Sequence, residues 1–150
     1  MSDIDRSKSL QQLEGRNWPE PTWDSHLVTE CHRLGRIPLR DFTPGNLRIM
    51  IGQQICLPYL IPLALEVLRD DPFTDGDLYE GDLLAVVLRA DSRFWLAAPE
   101  LRAEAARIAQ EALSLLPSLD EADRQAAQDA FADAYDIFQR AEYFAKHGRA

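Results

Sequence analysis

The sequence contains few of the side chains from which metal sites and nucleophilic active sites are built. Its 150 residues include two cysteines and three histidines, and none of them stands in a CxxC or HExxH motif. A glycine-rich phosphate-binding loop is missing as well. His26 and Cys31 are five positions apart, which is poor spacing for a shared helix face. We therefore predict that the protein is not an enzyme, and we expect no catalytic residue, metal, cofactor or small-molecule substrate.

The stretch DGDLYEGD, residues 75–82, is similar to a calcium-binding loop only in part. Asp75 and Asp77 stand at alternate positions, as the ligands of such a loop must. Tyr79 occupies the next alternate position, where another oxygen ligand is required. We therefore expect no calcium site here.

The two cysteines and the start of the chain bear on the cellular compartment. Cys31 and Cys56 are more typical of free thiols in a cytosolic protein than of a structural disulfide. The first residues include Asp3 and Asp5 and no apolar run, unlike a secretory signal. Both observations favour a cytoplasmic location.

Positive charge is absent from one stretch of the chain. Residues 70–82, which we call the acidic segment, contain six acids and no base, and so hold two thirds of the net charge of −9. These acids are Asp70, Asp71, Asp75, Asp77, Glu80 and Asp82. Nucleic acids and acidic lipids are bound through lysine and arginine, so the distribution argues against both as partners. A basic protein partner is compatible with it.

The sequence also lacks a long hydrophobic run. Residues 49–65 carry no charged side chain, but they fall short of the roughly 20 apolar residues that span a membrane. They also include two glutamines and two prolines. We expect no membrane association and predict two buried helices instead. Because Pro58 disfavours helical geometry at Leu57, the break between them is predicted near residues 56–59.

Capping signals place these two helices. Thr43 as N-cap, followed by Pro44 in the first helical position, predicts the start of the first helix. The second is predicted over about residues 59–69, with Pro62 in its first turn, where a missing N–H is tolerated. Gly52 is predicted to let another helix approach closely.

Gln53 and Gln54 lie inside this apolar run, and buried amides need hydrogen-bond partners. The simpler interpretation is that one side chain reaches solvent while the other binds backbone groups at the Leu57–Pro58 break. The alternative is that the pair contacts the backbone of a partner protein.

The rest of the chain also favours helices. Predicted helix starts are Asp24 or Ser25, Asp82, Asp91 or Ser92, Pro99, and the capping-box pair Ser118 and Glu121. One apolar stripe comprises Leu101, Ala105, Ile108, Ala109, Ala112 and Leu115. A second comprises Ala126, Ala127, Ala130, Phe131, Ala134, Phe138, Ala141, and Phe144 or Ala145. Residues 83–88, LLAVVL, are compatible with a buried strand, but no partner strand is evident.

These patterns predict an all-α fold. We expect one compact domain of about seven or eight helices over residues 1–150, and leave open whether residues 1–8 are disordered. No repeat period of 20 to 50 residues is present, which argues against a solenoid.

Five stretches resemble the all-helical immunity proteins of contact-dependent growth inhibition systems. In chain order they are SLQQLEG (9–15), CHRL with PL (31–34 and 38–39), NLRIMIGQQI (46–55), LPYLIPLALEVL (57–68) and DGDLYEGDLL (75–84). The third and fourth are the specific ones, and the resemblance covers roughly residues 9–96. Where Cys56 stands, the family pattern usually has glycine, so the resemblance is weaker at this position.

This resemblance implies a bacterial cytoplasmic protein that binds and blocks the C-terminal domain of a toxin encoded beside it. Such toxins are often nucleases and tend to be basic. An acidic inhibitor is drawn toward a basic surface and can occupy a phosphate-binding groove. The alternatives are an acidic helical adaptor for another basic protein and, less favoured, an unrecognised enzyme.

Within the acidic segment we predict the partner-binding residues Asp71, Asp75, Asp77, Tyr79 and Glu80. Tyr79 is assigned as the aromatic anchor, because tyrosine buries a large ring and keeps a polar tip. Asp82 is assigned to capping the next helix, and Asp70 to pairing within its own helix. The simpler interpretation is a solvated loop. The next candidate interface is the acidic face of the last helix, at Asp129, Asp133 and Asp136.

Overall fold

The computed structural model describes residues 4–22 and 25–147, with side chains up to residue 140. Its α-helices are α1 (Leu10–Glu14), α2 (His26–Leu34), α3 (Pro44–Gly52), α4 (Leu57–Asp70), α5 (Asp82–Leu88), α6 (Ser92–Ala97), α7 (Pro99–Leu115) and α8 (Glu121–His147). Two 3₁₀ turns, Leu39–Asp41 and Leu116–Ser118, and one isolated bridge between Asp75 and Glu80 complete the secondary structure of the described residues. The all-α prediction is confirmed, and residues 83–88 are helical.

The core forms where α4 and α5 meet their neighbours. Helix α5 packs on α3 and α8, and α4 packs on α3 and α7. Met50, Leu60, Leu65, Leu83 and Trp95 are all buried in one continuous cluster. Within the described chain, no helix combines the length and apolar character that crossing a membrane requires.

The start of α3 agrees with the sequence prediction. Thr43 is the N-cap, its side chain accepts a hydrogen bond from the Asn46 backbone N–H, and Pro44 is the first helical residue. In return, the Asn46 side-chain oxygen accepts a hydrogen bond from the Thr43 N–H at 3.0 Å. This reciprocal pair satisfies two backbone donors that the helix start leaves without partners.

The break after α3 comes earlier than predicted. Helix α4 begins at Leu57, and the backbone turns instead at Gln54 and Cys56, whose φ angles of 60° and 52° are left-handed. Leu57 therefore stays helical although Pro58 follows it. Pro62 lies in the second turn of α4, not the first. The carbonyl of Pro58, which loses its helical partner to Pro62, belongs to an exposed residue that water can reach.

The two glutamines divide as the simpler interpretation predicted, but with a different target. Gln53 is exposed at the end of α3. The Gln54 side-chain amide donates to the Arg89 carbonyl at 3.1 Å, and its oxygen accepts from the Asp91 N–H at 2.9 Å. Gln54 therefore fastens the α5–α6 connection to the α3–α4 break. It does not bind the backbone at Leu57–Pro58.

Two capping predictions require correction. Helix α8 is capped by Asp120, which accepts a hydrogen bond from the Asp123 N–H at 3.0 Å. Ser118 is not part of a capping box, because its hydroxyl donates to the Leu115 carbonyl at 2.6 Å. Gly81 is the N-cap of α5, so Asp82 is already its first helical residue. By contrast, Ser25 caps α2 as expected.

The packing of small residues also differs in part from expectation. Gly52 is exposed, and a Cβ added there would make only ordinary contact with Val86. Leu115 and Ala126 are exposed, although both stripes are otherwise buried or partly buried as predicted up to residue 138. The predicted stripe residues Ala141, Phe144 and Ala145 lie beyond the described side chains, and Asp24 is outside the described residues.

Candidate partner-binding site in the acidic segment

The acidic segment connects the end of α4 to the start of α5. Asp71 terminates α4, and its carboxylate accepts a hydrogen bond from the Phe73 N–H at 3.0 Å. The Phe73 ring is buried in the core. Because this hydrogen bond joins the end of α4 to the buried Phe73, the segment leaves α4 in a defined direction.

Asp82 organises the middle of the segment. Its side chain is only 2% exposed, and its carboxylate accepts hydrogen bonds from the backbone N–H groups of Gly76, Leu78 and Tyr79. The Arg48 guanidinium of α3 lies 3.7 Å away and also donates to the Gly76 carbonyl. A buried charge needs such partners. Asp82 therefore holds the loop in place, which is a larger role than the cap that the sequence predicted.

Asp77 is held against the first turn of α3. A Cβ added at Gly45 would overlap the Asp77 carboxylate, so glycine is required for this approach. Negative charge is favourable near a helix N-terminus, where backbone N–H groups lack partners. Asp77 has a left-handed backbone with φ of 87°, and its N–H donates to the Asp75 carboxylate at 2.6 Å. The Asp77 side chain remains exposed at this position.

The other acids gather around the start of α8. Asp75 and Glu80 form a single antiparallel bridge. Partial burial raises the pKa of Glu80, and repulsion from Asp123, Asp120, Asp71 and Asp75 raises it further. The pKa of Asp123 is raised first by its hydrogen bond with Asp120. Both directions are those expected of acids that lie close together and repel one another.

Tyr79 and Leu78 have opposite exposures. Tyr79 is half-buried, and its pKa is raised by burial and by the nearby Asp82. Leu78 is 64% exposed, the greatest exposure among the described large hydrophobic side chains. The sequence prediction omitted Leu78. Its signal was an isolated leucine among acids, with no apolar neighbour at helical spacing to bury it.

The structure thus places the five predicted site residues on one loop but not in one cluster. Asp71, Asp75 and Glu80 lie toward the start of α8, while Asp77 lies against α3. Asp70 is exposed at the end of α4 and forms no ion pair within the described chain. Its neighbour Arg69 instead pairs with Glu104 of α7 at 2.5 Å.

The alternative acidic face, on α8, is already partnered. Asp133 pairs with Arg89 at 2.6 Å, and Asp136 pairs with Arg140 at 2.9 Å. Asp129 accepts hydrogen bonds from the Gln125 amide at 3.1 and 3.2 Å. Among the described residues, Asp82 is the one acid of the acidic segment that takes part in an ion pair.

The fold and this segment together define a small all-α protein that presents a structured acidic surface. In the part of the chain that the structure describes, no group of three or more His, Cys, Asp or Glu side chains is arranged to hold a metal ion.

A family model described as contact-dependent growth inhibition (CDI) immunity proteins matches residues 12–105. The match covers more than half of the chain, including the acidic segment, and the chain belongs to this family. Membership implies neutralisation of a toxin and a cognate toxin protein as partner. Neither the curated proteins nor the solved structures contain a match to the chain.

Proposed function

We propose that the protein acts in the cytoplasm and binds its cognate toxin through the acidic segment, occluding the active site of a basic nuclease. The observation that carries this proposal is the contrast in charge pairing. Asp71, Asp75, Asp77 and Glu80 have no ion-pair partner within the described chain, whereas Asp133 and Asp136 on α8 do. Like charges held together are costly unless solvent or an opposite surface compensates them. A basic nucleic-acid cleft supplies such a surface.

The segment offers both charge and apolar area to such a cleft. The exposed carboxylates supply long-range attraction, which mainly sets the rate of association. Leu78 supplies a side chain that becomes desolvated on contact, which mainly sets the rate of dissociation. Tyr79 adds a half-buried ring beside it. We therefore assign contact roles to Asp71, Asp75, Asp77, Tyr79 and Glu80, and add Leu78 as the apolar anchor.

The decisive test compares two triple variants with the same change in net charge. The first replaces Asp75 and Asp77 by Asn and Glu80 by Gln. Asparagine retains an oxygen that accepts hydrogen bonds and tolerates the left-handed backbone at position 77. The control replaces Asp129, Asp133 and Asp136 by Asn. Association with the cognate toxin domain is measured by stopped-flow at several salt concentrations.

The segment variant should associate about tenfold more slowly at low salt, with a flatter salt dependence. The α8 variant should stay close to the unmodified protein. Equal slowing in both variants would mean that only net charge matters, and greater slowing in the α8 variant would move the interface there.

Occlusion of the active site is tested separately, by competition. A fluorescent nucleic-acid probe bound to the toxin domain should be displaced by the protein in proportion to complex formation. A ternary complex, in which toxin holds probe and protein together, would contradict occlusion while leaving the interface intact.

The anchoring side chains are tested by their dissociation rates. Tyr79→Ala should dissociate faster, with Tyr79→Phe as the control that retains the ring. Because Tyr79 is half-buried, the free energy of unfolding must be measured for both variants. A rate unchanged in a folded Tyr79→Ala protein would leave the anchoring role to Leu78 alone.

A further inference from the structure

A second surface feature lies apart from the acidic segment and differs from it in the side chains that line it. A polar cavity of about 690 Å³ lies beside α1 and the connection that follows α2. Its lining includes Ser7, Gln11, Arg16, Asn17 and Arg36. No described lining residue is acidic, although the protein as a whole carries a net charge of −9.

Gln11 is the unusual residue of this cavity. Its side chain belongs to a residue only 6% exposed, and the side-chain oxygen accepts a hydrogen bond from the Trp18 N–H at 3.2 Å. The amide nitrogen, Nε2, is buried and has no hydrogen-bond partner among the described residues. The Trp18 N–H fixes the position of the Gln11 side-chain oxygen. If the amide were flipped, its NH₂ group would face the Trp18 N–H, and two donors would be placed against each other. Nε2 is therefore held as a donor that lacks an acceptor, an arrangement that is costly in a buried position.

Two arginines, Arg16 and Arg36, line the same cavity as Gln11. Arg36 donates to Glu20 at 2.6 Å, and Arg16 lies 3.6 Å from Glu14. Neither glutamate lines the cavity. A guanidinium carries five N–H donors, so each arginine has further donors after these contacts. The backbone N–H of Arg16 donates to the Gln11 carbonyl at 3.1 Å, which ties the turn carrying one arginine to Gln11.

We propose that this cavity is an oxyanion site that binds a phosphate or carboxylate group. The group accepts hydrogen bonds from Gln11 Nε2 and from the guanidinium groups of Arg16 and Arg36. Charge-assisted hydrogen bonds of this kind are the strong ones. The oxyanion comes either from a free small molecule or from a carboxylate of the bound toxin. The chemistry is the same for both sources, and the proposal does not depend on the role of the acidic segment.

The test for a free oxyanion follows the Gln11 side-chain amide by ¹⁵N nuclear magnetic resonance. Sodium phosphate and sodium citrate are titrated separately, each against sodium chloride at matched ionic strength. A saturable shift of the Gln11 amide signals is expected with phosphate or citrate and not with chloride. Replacing Arg16 and Arg36 together by Gln should weaken binding at least tenfold. Arg93→Gln, which changes an exposed side chain of α6 that does not line the cavity, should leave binding unchanged.

A second variant addresses the donor itself. Gln11→Glu keeps the oxygen that accepts from Trp18 and replaces the unpartnered donor by an acceptor, so binding should be lost. Gln11 is buried, so the Gln11→Glu substitution can prevent folding. In that case the double arginine variant is the independent test. The acidic-segment triple variant should bind phosphate as the unmodified protein does, which separates this proposal from the proposed function.

The two sources are distinguished by adding the cognate toxin domain. If free anions give no saturation up to about 10 mM but the toxin shifts the Gln11 amide, the oxyanion is a toxin carboxylate. If neither anions nor toxin move the signal, or chloride moves it equally, the proposal is wrong and the donor is hydrated only.

Discussion

The acidic segment and the outer face of α8 both carry several carboxylates, but they use them differently. On α8, Asp133 and Asp136 each meet an arginine of the same chain. In the segment, the buried Asp82 takes the arginine and the backbone donors, and the exposed acids are left to repel one another. Sequence charge alone does not distinguish the two regions. The structure adds which carboxylates are already paired with an arginine of the same chain and which are not.

The largest expected effect separates the buried acid from a paired surface acid. Asp82→Ala should lower the free energy of unfolding by about 3 kcal/mol or more, because Arg48 and three backbone donors lose their acceptor. Asp133→Ala, which breaks an exposed pair with Arg89, should cost less than about 1 kcal/mol. Urea denaturation of both variants measures the difference. Equal losses would show that Asp82 is not the residue that holds the segment.

A smaller effect concerns apolar contact with the toxin. Leu78→Ser should increase the dissociation rate of the toxin complex roughly tenfold and change the free energy of unfolding by less than about 0.5 kcal/mol. The matched control is Ile137→Ser, which alters an exposed apolar residue on α8. If Ile137→Ser accelerates dissociation and Leu78→Ser does not, the two regions have been assigned the wrong roles. Surface plasmon resonance gives both rates.

Repulsion within the segment predicts a pH dependence. The pKa of Glu80 is raised in the folded protein, so the folded state holds this proton more tightly than the unfolded state does. Its contribution to stability is therefore present below the ordinary value of 4.5 and is lost as pH rises through the raised pKa. Glu80→Gln should raise the melting temperature at pH 7 by about 2 °C at low salt. High salt should reduce this gain by screening, and a lower melting temperature would contradict the repulsion.

The smallest effect tests the paired face directly. Arg89→Gln removes the partner of Asp133 and makes α8 resemble the segment more closely. Its free energy of unfolding should change by less than about 1 kcal/mol, because the pair is exposed. Toxin association should stay near the unmodified rate. The charge-matched control is Arg107→Gln, because Arg107 is exposed on α7 and takes part in no ion pair among the described residues. A clear increase above that control would indicate that unpaired acids attract the toxin wherever they lie.

Much of the helical frame was predictable because its signals are local. Thr43 with Pro44 marked the start of α3, and the apolar stripes of α7 and α8 marked their buried faces. Such patterns depend on residues three or four positions apart, which a sequence displays directly. The predictions failed where the partner lies far along the chain or where two local signals compete. Gln54 binds residues 89 and 91, and Asp120 replaces Ser118 as the cap of α8.

The candidate site illustrates the same limit. The run of acids was visible in the sequence, but its division into one buried acid and several exposed or partly exposed acids was not. Asp82 is buried because Arg48 stands beside it, more than 30 positions earlier in the chain. Asp77 lies against α3 because residue 45 is glycine. The exposure of Leu78 and the partial burial of Tyr79 follow from these distant contacts. The local sequence does not reveal them, and the prediction therefore named the tyrosine as the anchor.

The anchoring of the segment by Asp82 has a consequence for the thermodynamics of recognition. Ordering a flexible loop on binding costs conformational entropy, which reduces affinity. Here the backbone at residues 76, 78 and 79 is already fixed by one carboxylate, so much of that entropy is lost during folding instead. As a result, the residues that fix the shape of the segment differ from those that would select a partner. In the proposed interface, the exposed side chains of Asp75 and Leu78 and the partly exposed side chain of Glu80 can change to suit a different toxin, while Asp82 and Arg48 preserve the shape that presents them.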